Sequence, residues 1–591
     1  FLPVFALEAQ EGRLFAPLAF TKSYAMAAAA GLSITLVPVL MGYFIRGAVT
    51  PERRNPVSRM LGAAYRPVIN TVIRRPFATL LLAAAVVATS LWPAMRLGSE
   101  FMPPLDEGDL MYMPTTYPGI SADKARELLQ QTDKLISTVP EVESVFGKVG
   151  RADTATDPAP LTMIETVIQL RPRSEWREGM TPAKLREEFE QLVQIPGLTN
   201  AWVMPIKTRI DMLATGIKTP VGIKVSGPSL SVIEDIGRQL ETVIADIPGT
   251  ASVYSERVAG GRYVDVDIDR VRASRHGLNI NDIQDVVRTA IGGMNVTQTV
   301  EGRERYPVNV RYPQRVRDSV EQLRLLPIVT PRGERIALAD VADVAVIDGP
   351  PLIKSENARL NGWTYVDISG RDLGSYVAEA QRVVAESIDL PAGYSLGWSG
   401  QYEYMLRAQE RLSLVGPLTL AIIVLLLYIN FRRFAEVAII MGTLPMALAG
   451  GAWLLYLLGY EFSVAVGVGF IALAGVAVEI GVVMLVYLNQ AMARVEDNAA
   501  TEGRALTMGD VRRAVLEGAL MRVRPIMMTV ATIIFGLLPI MLGGGTGSEV
   551  MRRIAAPMVG GMISATLLTL VVIPALFLLW KRPRRLTKMA A

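Results

Sequence analysis

The chain has no cysteine and a single histidine, His276, in 591 residues. Without cysteine no disulfide can form and no thiolate can hold a metal, and one imidazole cannot build a multi-histidine site. Neither a GxxxxGK[ST] phosphate loop nor a GxSxG nucleophile elbow occurs, so the sequence supports neither nucleotide hydrolysis nor serine hydrolysis. A large excess of one charge is also lacking: the net charge is +4 with a pI near 9.1, and the basic residues cluster beside apolar segments. That pattern reads as membrane topology and not as nucleic-acid affinity. No initiator methionine or leader precedes Phe1, which already lies in apolar sequence, FLPVFALEAQ. The chain reads as truncated at its start.

What is present is apolar. Hydrophobic residues make up 51% and mean hydropathy is +0.32, as expected of an integral membrane protein with a large polar portion. A first span at 25–45 is followed by Arg46, Arg53, Arg54, Arg59, Arg66, Arg74 and Arg75 against one acid, Glu52. The charge rule puts 46–75 in the cytoplasm as an amphipathic linker helix, with a plain loop as the alternative. A second span occupies 76–97. Residues 98–410 hold no span and alternate β-branched runs with amphipathic helices, as a periplasmic insertion would. Three spans are expected over 411–488, a cytoplasmic loop over 489–525, two spans over 526–580 and a basic cytoplasmic tail over 581–591.

Two repeats organise this pattern. In the soluble portion, VPEVESVFGK and IPGTASVYSE occupy the same place after a helix, which predicts repeated ferredoxin-like split βαβ units. RYVDVDID reads as a strand of the second unit, TYVDISG with helix 375–388 as a faint third copy, and 290–360 as a β-rich insertion. At the ends, Pro3 and Pro38 lie 35 residues apart between LPVF and VPVL, and Pro539 and Pro574 lie 35 apart between LPIM and IPAL. The shared spacing predicts two duplicated helical halves, with 1–45 as the end of the first.

Glu479 lies near the middle of the apolar stretch VAVGVGFIALAGVAVEIGVVMLVYL. Its nearer end is nine residues away, about 13 Å of helix, beyond the reach of a short Glu. A carboxylate at that depth is expected to face the protein interior and to carry protons or pair a cation.

EGDLMYMP, ATDPAPLTMIET, RIDMLATGIK, EGRERYP, GFIALAGVAVEIGVVML and GSEVMRRIAAPM, set in a duplicated bundle with soluble ferredoxin-like insertions, resemble the resistance-nodulation-division (RND) efflux pumps. Within that family they are similar to the heavy-metal branch and its copper and silver exporters. The resemblance implies an α-helical membrane bundle with an α+β periplasmic part of porter and docking subdomains, most of the N-terminal half being absent. It also implies a homotrimer in the inner membrane, proton-driven antiport, a periplasmic adaptor and an outer-membrane channel, with no cofactor beyond the transported Cu(I) or Ag(I). Three methionines hold the ion in the family. Met163 and Met212 match two of these positions, and the third is assigned to Leu278 in SRHGLNINDIQ, where His276 offers a nitrogen two residues away. Glu479 matches the relay carboxylate, Ile526 stands where the family has a lysine, and Met551 matches a methionine along the ion's path. Thioether sulfur suits soft monovalent ions. A divalent-cation pump for zinc, cobalt or nickel and a non-transporting scaffold remain the alternatives.

Overall fold

The computed structural model describes residues 2–45, 56–103, 105–150, 159–545 and 547–581. Arg46, Arg53 and Arg54 of the basic stretch, residues 155–158 of ATDPAPLTMIET, and the tail from 582 onward lie outside the described residues.

The soluble portion contains two ferredoxin-like units. In the first, strands Leu110–Tyr112, Val142–Val149, Ile164–Leu170 and Trp202–Val203 alternate with helices Ala122–Ile136 and Pro182–Leu192. The third strand runs antiparallel between the second and the first, with Val145 and Leu110 both opposite Ile168, and the fourth borders the first at Met111↔Val203. Ser121 and Thr181 cap the helices by accepting from the backbone N–H of Lys124 and Lys184, which is the placement helix starts favour. The core is Tyr112, Ile136, Ile168, Phe189 and Trp202, with Tyr112 stacked on Trp202 at 4.3 Å between ring centroids.

The second unit repeats that order with strands Val221–Gly227, Thr250–Ser255, Arg359–Ile368 and Ser395–Gly400 and helices Leu230–Ala245 and Leu373–Ser387. The strand Arg359–Ile368 pairs with the first at Val366↔Val221 and with the second at Tyr365↔Tyr254. TYVDISG and the helix after it are therefore the second half of this unit, and no third copy exists among the described residues. The expected strand RYVDVDID is likewise reassigned. Gly261–Ile268 pairs along its whole length with Ala342–Gly349, outside the unit's sheet. The insertion thus begins near 256 and not at 290, and it ends before Arg359. Alternation marks each segment as a strand, but it carries no information on which distant strand it will join.

Inside the insertion, Leu278, Ile283, Leu323, Leu338 and Val341 form a separate core. A hairpin of Met294–Glu301 and Glu304–Val310 projects from it with every residue exposed.

Among the described residues six helices are long and apolar enough to cross a membrane: Pro76–Arg96, Gln401–Phe431, Phe434–Leu458, Val464–Thr501, Met508–Leu542 and Ser548–Trp580. A further pair, Glu11–Ile34 and Leu36–Phe44, is apolar enough when taken together and is bent by 47°, as a broken span or a re-entrant loop would be. The loop expected over 489–525 is mostly helix. Val464–Thr501 and Met508–Leu542 continue past the apolar stretches, and only 502–507 turns, held by Arg504 on Asp510 and by Thr507 capping. The 56–74 part of the linker is a helix that seats Tyr65, Ile69, Val72 and Ile73 in the bundle, with the Tyr65 hydroxyl donating to the Leu570 carbonyl at 2.6 Å. Small residues set the closest crossing: a Cβ on Gly560 would lie 2.4 Å from the Gly450 carbonyl. Glycine lets these backbones approach as membrane helix pairs commonly do.

Candidate metal centre

The methionine site lies where the first unit meets the segment leading into the second. Thr115 and Met163 sit opposite one another in an isolated antiparallel bridge, so their side chains leave the pair on one face. Two residues after Met163 in the chain, Glu165 shares its strand face, is 7% exposed, and takes Lys148 at 2.9 Å and Arg209 at 3.9 Å. Arg209 belongs to helix Pro205–Thr215 and lies one turn before Met212, hence on the same helix face. The Glu165–Arg209 pair therefore turns the Met212 face toward the Met163 strand.

The start of that helix is fixed by Glu107, whose carboxylate accepts the backbone N–H groups of Ile206 and Lys207 at 2.7 and 2.8 Å. Its end is fixed by Gly216, with φ of 81° and its N–H on the Met212 carbonyl. A Cβ at Gly216 would lie 2.2 Å from the Trp363 ring, so glycine is needed both for its left-handed backbone and for contact with the second unit.

Lys218, two residues on, closes the arrangement. Its ammonium donates to Thr115 Oγ1 at 2.6 Å and to the Met113 carbonyl at 3.0 Å. Met113 is fully buried, and its own N–H donates to Ala201 at 2.8 Å. Burial pulls Lys218 down to about 8 from its ordinary 10.5, with Glu256 and Glu165 opposing the shift.

Met163 and Met212 therefore lie on neighbouring elements, and the Met113 backbone is tied to the same place through Lys218 and Thr115. The expected third position, Leu278, is 6% exposed in the core of the insertion with Ala273 and Ile283 around it, in a different hydrophobic cluster. His276 ends the short helix Arg270–Arg275 in that same insertion. Met113 was visible in the quoted motif EGDLMYMP, but nothing local distinguishes it from its neighbour Met111. Its place is set by Lys218, 105 residues away. Among the described residues no three His, Cys, Asp or Glu side chains are grouped to hold a metal. The arrangement can offer a soft ion three thioethers, while nearby carboxylates are engaged by Lys148, Lys207 and Arg209.

Met551 stands apart. It is 38% exposed on the first turn of Ser548–Trp580, in the membrane part.

Glu479 is exposed among the described residues. Its helix buries Leu473, Ala477, Ile480, Met484 and Leu488 against the bundle, and Gly475 and Glu479 lie one turn apart on the uncovered stripe. Among the described residues Glu479 has neither a hydrogen bond nor an ion pair. The next helix runs antiparallel beside it: Arg522 lies over the Tyr487 ring at 4.3 Å, and Gly518 abuts Leu488. By that register Glu479 is level with about residue 528, and Arg524 lies about one turn, roughly 6 Å, along the axis. Ile526 is 3% exposed and faces the core.

The profile of the AcrB/AcrD/AcrF family matches residues 1–581. The chain belongs to that family. Over 589 residues it is 53% identical to the cation efflux system protein CusA of Escherichia coli K12, covering 100% of this chain and 56% of that protein. It is 52% identical over 583 residues to SilA of Salmonella typhimurium, covering 98% of this chain and 55% of SilA. A crystal structure of a heavy metal efflux pump superposes with a TM-score of 0.86 at 30% identity, over 98% of this chain and 56% of the other. The fold is thus that of the RND transporters, and the chain spans about half the length of the relatives it matches.

Proposed function

We propose that the protein exports Cu(I) and Ag(I) across the cell envelope by exchange with protons, as the inner-membrane pump of a tripartite assembly and not as an enzyme. What supports this reading is that the segments carrying Met113, Met163 and Met212 are tied together through Thr115, Lys218 and the Glu165–Arg209 pair, with no cluster of harder ligands among the described residues. Thioethers stay unprotonated at any physiological pH and favour soft monovalent ions over the borderline zinc, cobalt or nickel. In this reading the three sulfurs bind the ion, Lys218, Arg209 and Glu107 hold their supports in place, and Met551 belongs to the ion's route through the membrane part.

Glu479 is the proton carrier in this reading, and the proton gradient supplies the driving force. A protonated carboxyl can move through the low-dielectric interior where the ionised form cannot, so gain and loss of the proton would favour different helix positions. The family likeness supports a homotrimer working with a periplasmic adaptor and an outer-membrane channel.

The test is titration of the purified protein with Ag(I) and with Zn(II). Silver binding that is lost in Met113→Ile, Met163→Ile and Met212→Ile and kept in Leu278→Ala supports the reading. Preferential zinc binding, or silver binding indifferent to all three methionines, refutes it.

A further inference from the structure

The two soluble units attach to the membrane helices differently. The first has a core of its own, whereas the second unit's Val221, Ile223, Val366 and Tyr376 belong to the same continuous hydrophobic cluster as the membrane helices. Where that continuity is made, four segments distant in sequence meet.

Residues 98–101, which lead into the soluble portion, pair with the turn before the Glu479 helix. Phe462 N–H donates to the Gly98 carbonyl at 2.8 Å, Glu100 N–H to the Phe462 carbonyl at 3.0 Å, and Val464 N–H to the Phe101 carbonyl at 3.3 Å. Ser463 in that turn is 1% exposed and caps the helix. The other edge of 98–101 holds the second unit. Ser99 N–H donates to Asp372 Oδ2 at 3.0 Å, and Gly374 N–H donates to the Ser99 carbonyl at 3.1 Å. Asp372 is also the cap of helix Leu373–Ser387. The last membrane helix joins through Arg553, whose Nε lies 3.4 Å from Glu100 Oε1 and whose guanidinium lies over the Tyr460 ring at 3.8 Å. Arg553 and Glu100 are 13% and 14% exposed.

The joint has no slack. A Cβ at Gly98 would fall 2.5 Å from both Asp372 and Glu461, and one at Gly374 would fall 1.9 Å from Ser99 Oγ. The first turn of the Glu479 helix, the cap of a second-unit helix and the last membrane helix are therefore bound to one four-residue segment.

We propose that this joint is the rigid coupler that passes displacement of the Glu479 helix to the second unit, with Glu100 and Arg553 as its positioning residues. The inference rests on the export reading. The second unit is in turn in contact with the Met212 helix through Trp363 and Gly216, so its movement reaches that wall of the candidate methionine site.

None of these 591 residues is a cysteine that would compete with an introduced pair. The Ser99 Cβ and a Cβ built at Gly374 are 3.3 Å apart, close to the roughly 3.5–4.5 Å that a disulfide spans. In membranes carrying the complete gene product, the oxidised Ser99→Cys/Gly374→Cys pair should export silver at the reduced pair's rate. Export that stops on oxidation and returns with a phosphine would mean that the joint must open, which overturns the proposal. Glu100→Gln and Arg553→Gln should lower export by about tenfold, as coupling residues remote from a ligand do, with Ag(I) titration unchanged. The double variant leaves no unpaired buried charge and should fold where a single variant does not. Unchanged export in the double variant overturns the coupler. Glu479→Gln measured alongside separates the two failures: a pump stopped by it but indifferent to the joint variants sinks the coupler alone, and a pump indifferent to both sinks the export reading with it.

Discussion

The first and second ferredoxin-like units have the same strand order and different neighbours. The first stacks Tyr112, Phe189 and Trp202 into a closed core and supplies Met113 and Met163. The second is interrupted by a whole insertion between its second and third strands, and its core runs on into the membrane helices through Phe101, Met102, Tyr404 and Met405. Met212 lies on the helix between them. A binding site shared by a unit tied to the membrane bundle and a unit with its own core changes shape when only one of them moves. Duplication supplied two copies of one topology, and attachment gave them different work.

The strongest way to break this picture is at the driving end. Glu479→Gln should abolish export while leaving Ag(I) binding intact, since the carboxylate lies in the membrane part and the methionines in the soluble part. Retained silver resistance in cells carrying that variant would remove the proton role. Next in size, Met113→Ile should weaken Ag(I) binding at least as much as the ~10–100-fold that loss of a metal ligand's supporting group produces. Titration of Leu278→Met beside it should show no gain, because that side chain lies in the insertion's core.

A third test sharpens the difference in attachment. Phe189→Ala should cost about 3–5 kcal/mol and lower only an early, separate unfolding step, whereas Tyr376→Ala should shift the main transition with the membrane helices. Calorimetry that finds one shared transition in both variants would deny the first unit its independence.

The smallest expected effect concerns Lys218. Burial lowers it to about 8 from 10.5, so between those values the unfolded chain binds more protons than the folded one. Stability should therefore rise as pH rises through that window, by about 3 kcal/mol at most. The burial penalty is fully present below about pH 8. Lys218→Met should flatten that rise and be neutral or stabilising at pH 7, and an unchanged profile would show that the ammonium is not what titrates.

Much of this was legible in the chain. Apolar runs of bilayer length, the sign of the charges between them and the paired proline spacing carry the membrane architecture, because lipid imposes its thickness on local sequence. The turn between Thr501 and Met508 was harder to place. Apolar content marks where a helix leaves the membrane, not where it ends, and polar residues continue both helices well beyond it. Pro3–Pro38 and Pro539–Pro574 share a spacing, yet the helix containing Pro38 buries none of its described residues, while the one containing Pro574 is buried along much of its length. Equal patterns met unequal neighbours.

The sequence by itself determined the class: spans, a soluble insertion of split βαβ units, a carboxylate within an apolar helix, and many methionines in a chain without cysteine. Those signals are local, repeating every two residues along a strand or every three to four along a helix. Only the tertiary structure decided that Arg359–Ile368 completes the unit begun at Val221, that Met113 and not Leu278 lies beside the elements carrying Met163 and Met212, and that Glu479 lies on the uncovered stripe of its helix. Each of these depends on partners a hundred or so residues away or on another helix, where contact is set by hydrogen-bond pairing and packing, and neither leaves a period in the chain.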